Sequence, residues 1–137
     1  TWVKNGVLRQ LFYDRYWAEK QGKEPTGYPS SIIIEGDKGT LDDLISNTDR
    51  AVLVTRFWYI RFVDPQSLLL TGLTRDGTFW VENGRIQHAI KNFRFNESPM
   101  AVLNKITDMS ESVRVGGSMV PAIRASEFTF SSLSDAV

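Results

Sequence analysis

The sequence contains no cysteine and only one histidine, His88. Without cysteine the chain can form no disulfide framework, no thiolate nucleophile and no thiolate metal site. With one imidazole it cannot build a zinc helix of the His-Glu-x-x-His type. An excess of one charge is missing too: sixteen Lys and Arg balance sixteen Asp and Glu. A general electrostatic grip on nucleic acid or an anionic membrane is therefore not expected, which leaves only a local patch. Long apolar runs are absent. Ile32-Ile33-Ile34 and Leu68-Leu69-Leu70 are far too short to span a bilayer. No secretory signal peptide is visible. Position 1 is Thr and not Met, which points to a fragment or a processed product.

What remains is an ordinary globular composition. The 137 residues are 42% hydrophobic and 12% aromatic, enough to bury a core without staples in one domain. Asn5-Gly6 lies between apolar residues and suits a type I′ hairpin turn, since both residues tolerate positive φ. Asp14 is placed to cap a short helix, Arg15 to Gln21, that stops at Gly22. Lys23 to Ser30 carries Pro25, Gly27 and Pro29 and reads as an exposed loop. Ile32 to Ile34 reads as a short buried strand. Thr40 and Asp43 form a capping-box pattern that opens a helix from Leu41 to about Thr48.

Ala51 to Val63 is β-branched and aromatic throughout, and gives the clearest strand signal. Strict alternation sends Phe57, Tyr59 and Arg61 to one face and Arg56, Trp58, Ile60 and Phe62 to the other. Asp64-Pro65 ends it, and Ser67 to Thr71 is a further strand. Thr74 to Gly77 reads as a turn. Thr78 to Val81 and Ile86 to Ile90 form a second hairpin with Asn83-Gly84 at its tip. Ser98-Pro99 is the signature of a capped helix start, with the helix running to about Asp108. Met109 to Met119 is polar and Gly-containing and reads as a mobile loop, followed by a last strand, Glu127 to Phe130. The sum is an α+β, strand-rich single domain with antiparallel hairpins and about three short helices. The strand Val52–Val63 and the hairpin Thr78–Ile90 are expected at the centre of its sheet.

No motif carries recognisable chemistry by itself. His88 has no partner in the pattern and reads as a structural or surface residue. Asp42-Asp43 is explained by the helix dipole, because neighbours on a helix do not face each other. Arg56 and Arg61 among Phe57, Trp58 and Tyr59 could suggest a base-stacking platform, but the neutral chain shows no basic cluster along its sequence. Gly116-Gly117-Ser118 lacks the Lys and the helix of a phosphate loop.

Three stretches nevertheless look familiar. They are Asn5-Gly6-Val7-Leu8 with the following helix and Gly27, then Leu53 to Pro99, then Val120 to Val137. The most specific block runs from Val54-Thr55-Arg56-Phe57-Trp58-Tyr59-Ile60-Arg61 through Leu70 to Gly84, and on through Lys91-Asn92-Phe93-Arg94-Phe95-Asn96-Glu97-Ser98-Pro99. Together they resemble the C-terminal region of the TldD/PmbA family, labelled modulators of DNA gyrase and regarded as metallopeptidases. The resemblance implies that residues 1–137 are a C-terminal β-rich domain, with an N-terminal domain and a zinc helix upstream.

In the peptidase branch that helix carries His-Glu-x-x-x-His, and a Cys near the C-terminus adds a third ligand. By resemblance the Cys would fall between Met109 and Ser118, where this chain has Ser110, Ser112 and Ser118. A hydroxyl is a far poorer zinc ligand than a thiolate. The resemblance thus assigns no catalytic or metal residue and no cofactor to this chain, with zinc in the full-length protein or its partner. It implies a non-catalytic piece that lines a substrate cavity and mediates dimerisation. The alternatives are the C-terminal half of a zinc peptidase completed by a different third ligand, and an independent binding module. The implied partners are a second copy or a TldD/PmbA-type subunit, and a peptide substrate in the cytoplasm, with neither nucleic acid nor membrane. Arg56, Thr71, Arg75 and Asn96 are the candidate substrate-binding residues. Arg can hold a carboxylate or carbonyl, and Thr and Asn offer directional hydrogen bonds.

Overall fold

The computed structural model describes residues 1–134. Asp135, Ala136 and Val137, at the end of the last family-like stretch, lie outside the described residues. A small hairpin opens the chain, β1 (Val3–Lys4) and β2 (Val7–Leu8), and Asn5 and Gly6 at its tip have φ of 51° and 73°. Helix α1 (Arg15–Gln21) is capped by the Asp14 carboxylate, which accepts from the Trp17 amide, and ends at Gly22 with φ 60°. Helix α2 (Leu41–Ser46) has the full reciprocal Thr40–Asp43 capping box. It is shorter than the apolar spacing suggested, because Asn47 and Thr48 already leave helical geometry.

The main sheet is antiparallel. Its strands are β3 (Arg50–Asp64), β4 (Leu69–Glu82), β5 (Arg85–Ala89), β6 (Asn92–Glu97) and β9 (Phe130–Ser134). Their order is β3-β4-β6-β9, with β5 paired to the far half of β4. The centre is therefore β4, and the long aromatic β3 is an edge strand. It was expected at the centre because its apolar content is high. β4 is central because β5 and β6, which follow it in the chain, pair along the side that β3 leaves open. The expected turn at Thr74–Gly77 is instead a bulge inside β4, with Asp76 at φ 60° and Gly77 at φ 139°. Thr55 Oγ1 donates to the Gly77 carbonyl at 2.9 Å and holds the bulge against β3.

One face of this sheet packs on a phenylalanine cluster. Phe57 lies 5.0 Å from Phe95 and 5.3 Å from Phe128, and Phe93 lies 4.7 Å from Phe130, centroid to centroid. Gly72 sits beneath Phe95: a Cβ there would meet the ring at 2.7 Å. Beside this cluster Thr74 and Thr78 are buried; the Thr78 hydroxyl bonds to that of Thr74, and both meet the side-chain oxygen Oδ1 of Asn92.

After helix α3 (Pro99–Asn104), β7 (Ile106–Val115) and β8 (Ser118–Ala125) form a separate two-stranded sheet. Ser98 precedes Pro99 as expected but makes no side-chain cap; its hydroxyl donates to the Ser67 carbonyl instead. Met109 to Met119, expected as a mobile loop, is this hairpin. Ser110 is buried in it, Val113 and Val115 are exposed toward its tip, and Gly116 at φ 58° makes the turn. The helix expected to reach Asp108 is cut short at Asn104 because β7 begins at Ile106. The last strand lies at Phe130–Ser134 rather than Glu127–Phe130, since β6 offers its free edge there. Ile32 to Ile34 is no buried strand. It makes one isolated bridge to Met119, and Ile33 is 76% exposed. No helix among the described residues is long and apolar enough to cross a membrane.

Very little of the apolar content is covered. Only Ala18, Val81 and Phe95 among the described hydrophobic residues are buried. The accessible surface is 10333 Å², whereas a compact monomer of 15.6 kDa exposes about 7,300 Å².

Candidate functional site

The sheet face opposite the phenylalanine cluster is where the candidate residues meet. Arg56 pairs directly with Arg75, Trp58 with Leu73, and Arg61 with Thr71 across β3 and β4. Leu73 pairs in turn with Arg94, and Thr71 with Asn96, across β4 and β6. Cross-strand partners share a face, and so do residues two apart on an unbroken strand. Arg56, Thr71, Arg75 and Asn96 therefore stand on one face, joined by Arg61 and Arg94.

Arg61 arrives there against the expected alternation. Tyr59 adopts φ 57°, and the register slips between Trp58 and Arg61. The extra residue turns Arg61 to the side of Arg56 and Trp58. A basic cluster that no sequence window contains is thus assembled from three strands.

Within this face, Arg56 Nη1 donates to Asp76 Oδ2 at 2.5 Å, and Arg75 Nε lies 3.5 Å from Asp76 Oδ1. Both guanidiniums lie against the Trp58 ring, at 4.4 Å for Arg56 and 5.4 Å for Arg75. Arg61 lies 4.2 Å from the Tyr59 ring centroid and donates from Nη2 to the Tyr59 hydroxyl. Cation–π contact and the Asp76 carboxylate hold these side chains in place. The two remaining predicted residues, Thr71 and Asn96, stand one pair across β4 and β6. The Thr71 hydroxyl donates to the Phe95 carbonyl at 2.9 Å, so its proton is engaged. Asn96 is exposed, and its backbone N–H donates to the Thr129 carbonyl. Sequence reasoning missed Arg61, assigned to the opposite face, Arg94, and Asp76, read as part of a turn. The family-like block contained all three, but only the ladder register joins them.

Glu97 lies on the other face and is 8% exposed. Burial pushes its carboxyl up, but hydrogen bonds from Ser98 and Thr129, with Lys105 4.0 Å away, outweigh this and hold it below the usual carboxylate range. On the second sheet, Arg124 donates to Asp108, to the Asn47 carbonyl and to the Thr48 hydroxyl. It thereby ties the end of α2 to the β7–β8 hairpin. The Arg124 hydrogen bond also holds Asp108 below the ordinary Asp value, helped by Thr107.

The residues present do not fit a zinc site. Among the described residues no three His, Cys, Asp or Glu side chains converge. The three serines at the position that resemblance gives to a ligand Cys are engaged elsewhere. Ser110 Oγ accepts from the Ala122 amide and donates to the Glu111 carbonyl. Ser112 Oγ accepts from Gly36 N at 2.9 Å and donates to the Ile34 carbonyl at 2.6 Å, while Ser118 Oγ accepts from Ile32 N. Ser112 and Ser118 thus fasten the Ile32–Gly36 segment to the hairpin.

This sheet, with its aromatic-lined face and its separate hairpin, is a known domain type. Residues 1–132 match the family described as the PmbA/TldA metallopeptidase C-terminal domain, and the chain belongs to that family. Among solved structures it is similar to TldE from Thermococcus kodakarensis, with a TM-score of 0.81 and 20% identity over 94% of this chain and 33% of that one. A candidate modulator of DNA gyrase from Bacteroides thetaiotaomicron also gives a TM-score of 0.81, with 25% identity over 96% of this chain and 30% of that one. A similarly described Thermotoga maritima protein gives 0.76, with 20% identity over 94% of this chain and 32% of that one. No match was found among curated proteins. The chain spans about a third of the length of each of these structures.

Proposed function

We propose that residues 1–137 form the C-terminal domain of a cytoplasmic PmbA/TldA-type peptidase, as a non-catalytic part that lines the substrate cavity and carries a subunit contact. Zinc, in this reading, is held by the rest of the full-length chain or by a partner subunit. The partner is a second copy or a TldD/PmbA-type subunit, and the substrate is a peptide. The observation that carries the reading is the hairpin β7–β8. Where the family resemblance asks for a thiolate, serine hydroxyls secure backbone, and one histidine cannot replace the missing donors. The association half of the reading is supported by the surface. Roughly 3,000 Å² more is exposed than a compact monomer of this mass shows, several times one partner's share of a standard interface. Arg56, Thr71, Arg75 and Asn96 are proposed to face the peptide.

The test is zinc titration of the full-length protein by calorimetry, alone and with its partner subunit, together with peptide cleavage. The reading expects no tight zinc binding by this domain and cleavage only where a metal-bearing helix is present. Stoichiometric zinc binding that is lost on replacing Ser110 or Ser112 by Ala would refute it.

A further inference from the structure

The chain carries no net charge, yet one face of its main sheet is strongly basic. Arg56, Arg61, Arg75 and Arg94 share that face through the ladder register, with Asp76 beside Arg56 and Arg75. Arg94 is exposed, and its side chain makes no ion pair or hydrogen bond among the described residues. Arg75 meets Asp76 through Nε, and among the described residues its two terminal nitrogens have no hydrogen-bond partner.

The aromatic residues decide which anion this face suits. A nucleic acid strand held on a sheet needs open ring faces for its bases. Here the Trp58 ring already carries Arg56 and Arg75, and the Tyr59 ring carries Arg61. A guanidinium laid on a ring keeps its N–H donors in its own plane, directed away along its edge, where they match a carboxylate. The rows Arg61–Thr71, Trp58–Leu73–Arg94 and Arg56–Arg75 follow one another along the sheet. Successive rows are about 6.7 Å apart, the same repeat as alternate side chains on an extended peptide.

We propose that this face docks an acidic segment of the peptide substrate in extended form, with its Asp or Glu carboxylates received by Arg75, Arg94 and the ring-stacked Arg56 and Arg61. The proposal rests on the peptidase reading for the identity of the peptide, and adds its charge class. Asp76 and the two aromatic rings are positioning groups: Arg56 engages Asp76 through Nη1 and Arg61 engages the Tyr59 hydroxyl through Nη2, and each offers its remaining N–H groups.

The experiment measures fluorescence anisotropy of a short labelled peptide containing several glutamates, with its all-glutamine counterpart, on the full-length protein. The glutamate peptide is expected to bind, and the glutamine peptide at least tenfold more weakly. Raising the salt should weaken the first and spare the second. Arg94→Gln and Arg75→Gln should each weaken the glutamate peptide about threefold or more, and together about tenfold. Arg114→Gln, on the separate hairpin, should leave it unchanged. Arg94 has no partner to lose among the described residues, so its variant separates binding from folding. Equal binding of both peptides, equal loss in Arg114→Gln, preference for a single-stranded oligothymidine over the glutamate peptide, or no binding at all would each overturn the proposal. Cleavage assays keep the two readings apart. Cleavage with no preference for acidic peptides removes the docking proposal alone. Binding of the acidic peptide without any cleavage in the assembled complex removes the peptidase reading alone.

Discussion

Arg56 and Arg75 stand directly opposite each other on neighbouring strands, two like charges held together by Trp58 and Asp76. Like charges placed directly across a ladder are normally unfavourable. On the proposed docking reading, this row beside the bulge serves recognition and not stability. The ion pairs are about half exposed, at 49% and 48% for Arg56 and Asp76, so they add little to folding. Arg56→Ala is therefore expected to cost less than about 1 kcal/mol of stability while weakening peptide processing in the assembled protein. Chemical denaturation beside a cleavage assay reads both. A stability loss matching the activity loss would return Arg56 to the scaffold.

Gly72 lies under the Phe95 ring, and an added methyl would meet that ring at 2.7 Å and the Trp58 carbonyl oxygen at 3.0 Å. Gly72→Ala should destabilise the domain by about 1–3 kcal/mol through overpacking. A lowered midpoint with an unchanged denaturant slope is the expected signature.

Glu97 supplies an acid-sensitive link. Its folded pKa lies below the unfolded value, so its contribution is present above the unfolded carboxylate pKa, about 4.3, and is lost as pH falls through the folded value. Its carboxylate accepts from the Ser98 and Thr129 amides and joins β6 to the segment before β9. Glu97→Gln should cost about 1–3 kcal/mol at neutral pH and flatten the acid side of the stability profile. An unaltered profile in the variant would show that other carboxylates govern acid unfolding.

Arg124, held by Asp108 within the β7–β8 hairpin, ties the end of α2 to it through two acceptors, the Asn47 carbonyl and the Thr48 hydroxyl. Arg124→Met should keep the hairpin and loosen the helix. Hydrogen exchange is expected to accelerate across 41–48 and stay unchanged in β3 and β4. Uniform acceleration would show that the two sheets unfold as one unit.

The exposed aromatic edge of β3 carries Trp58, Tyr59, Ile60, Phe62 and Val63, each at least 40% exposed. Apolar surface on this scale marks an interface. The full-length protein is expected to associate in sedimentation experiments, and Phe62→Glu on β3 should shift it toward monomer. A strict monomer at high concentration would argue that the rest of the chain covers this edge.

Local physics was legible in the residues themselves. Asn5-Gly6 and Asn83-Gly84 made their turns, Asp14 and Thr40–Asp43 their caps, and Ala51 to Val63 a strand, because each depends on neighbours within a few positions. The family was legible too, carried by the block from Val54 to Pro99. Pairing was not. Polar Met109–Met119 became a hairpin because β7 and β8 satisfy each other's backbone, and β3 became an edge because β5 and β6 pair with the other side of β4 and not with β3. The candidate face belongs to this second kind. Arg56 and Arg75 were nineteen positions apart in a charge-neutral chain, and Arg61 was assigned to the wrong side of its strand. Composition sums charge along the chain, whereas a sheet sorts it by register, and one positive φ at Tyr59 was enough to move a guanidinium from one face to the other.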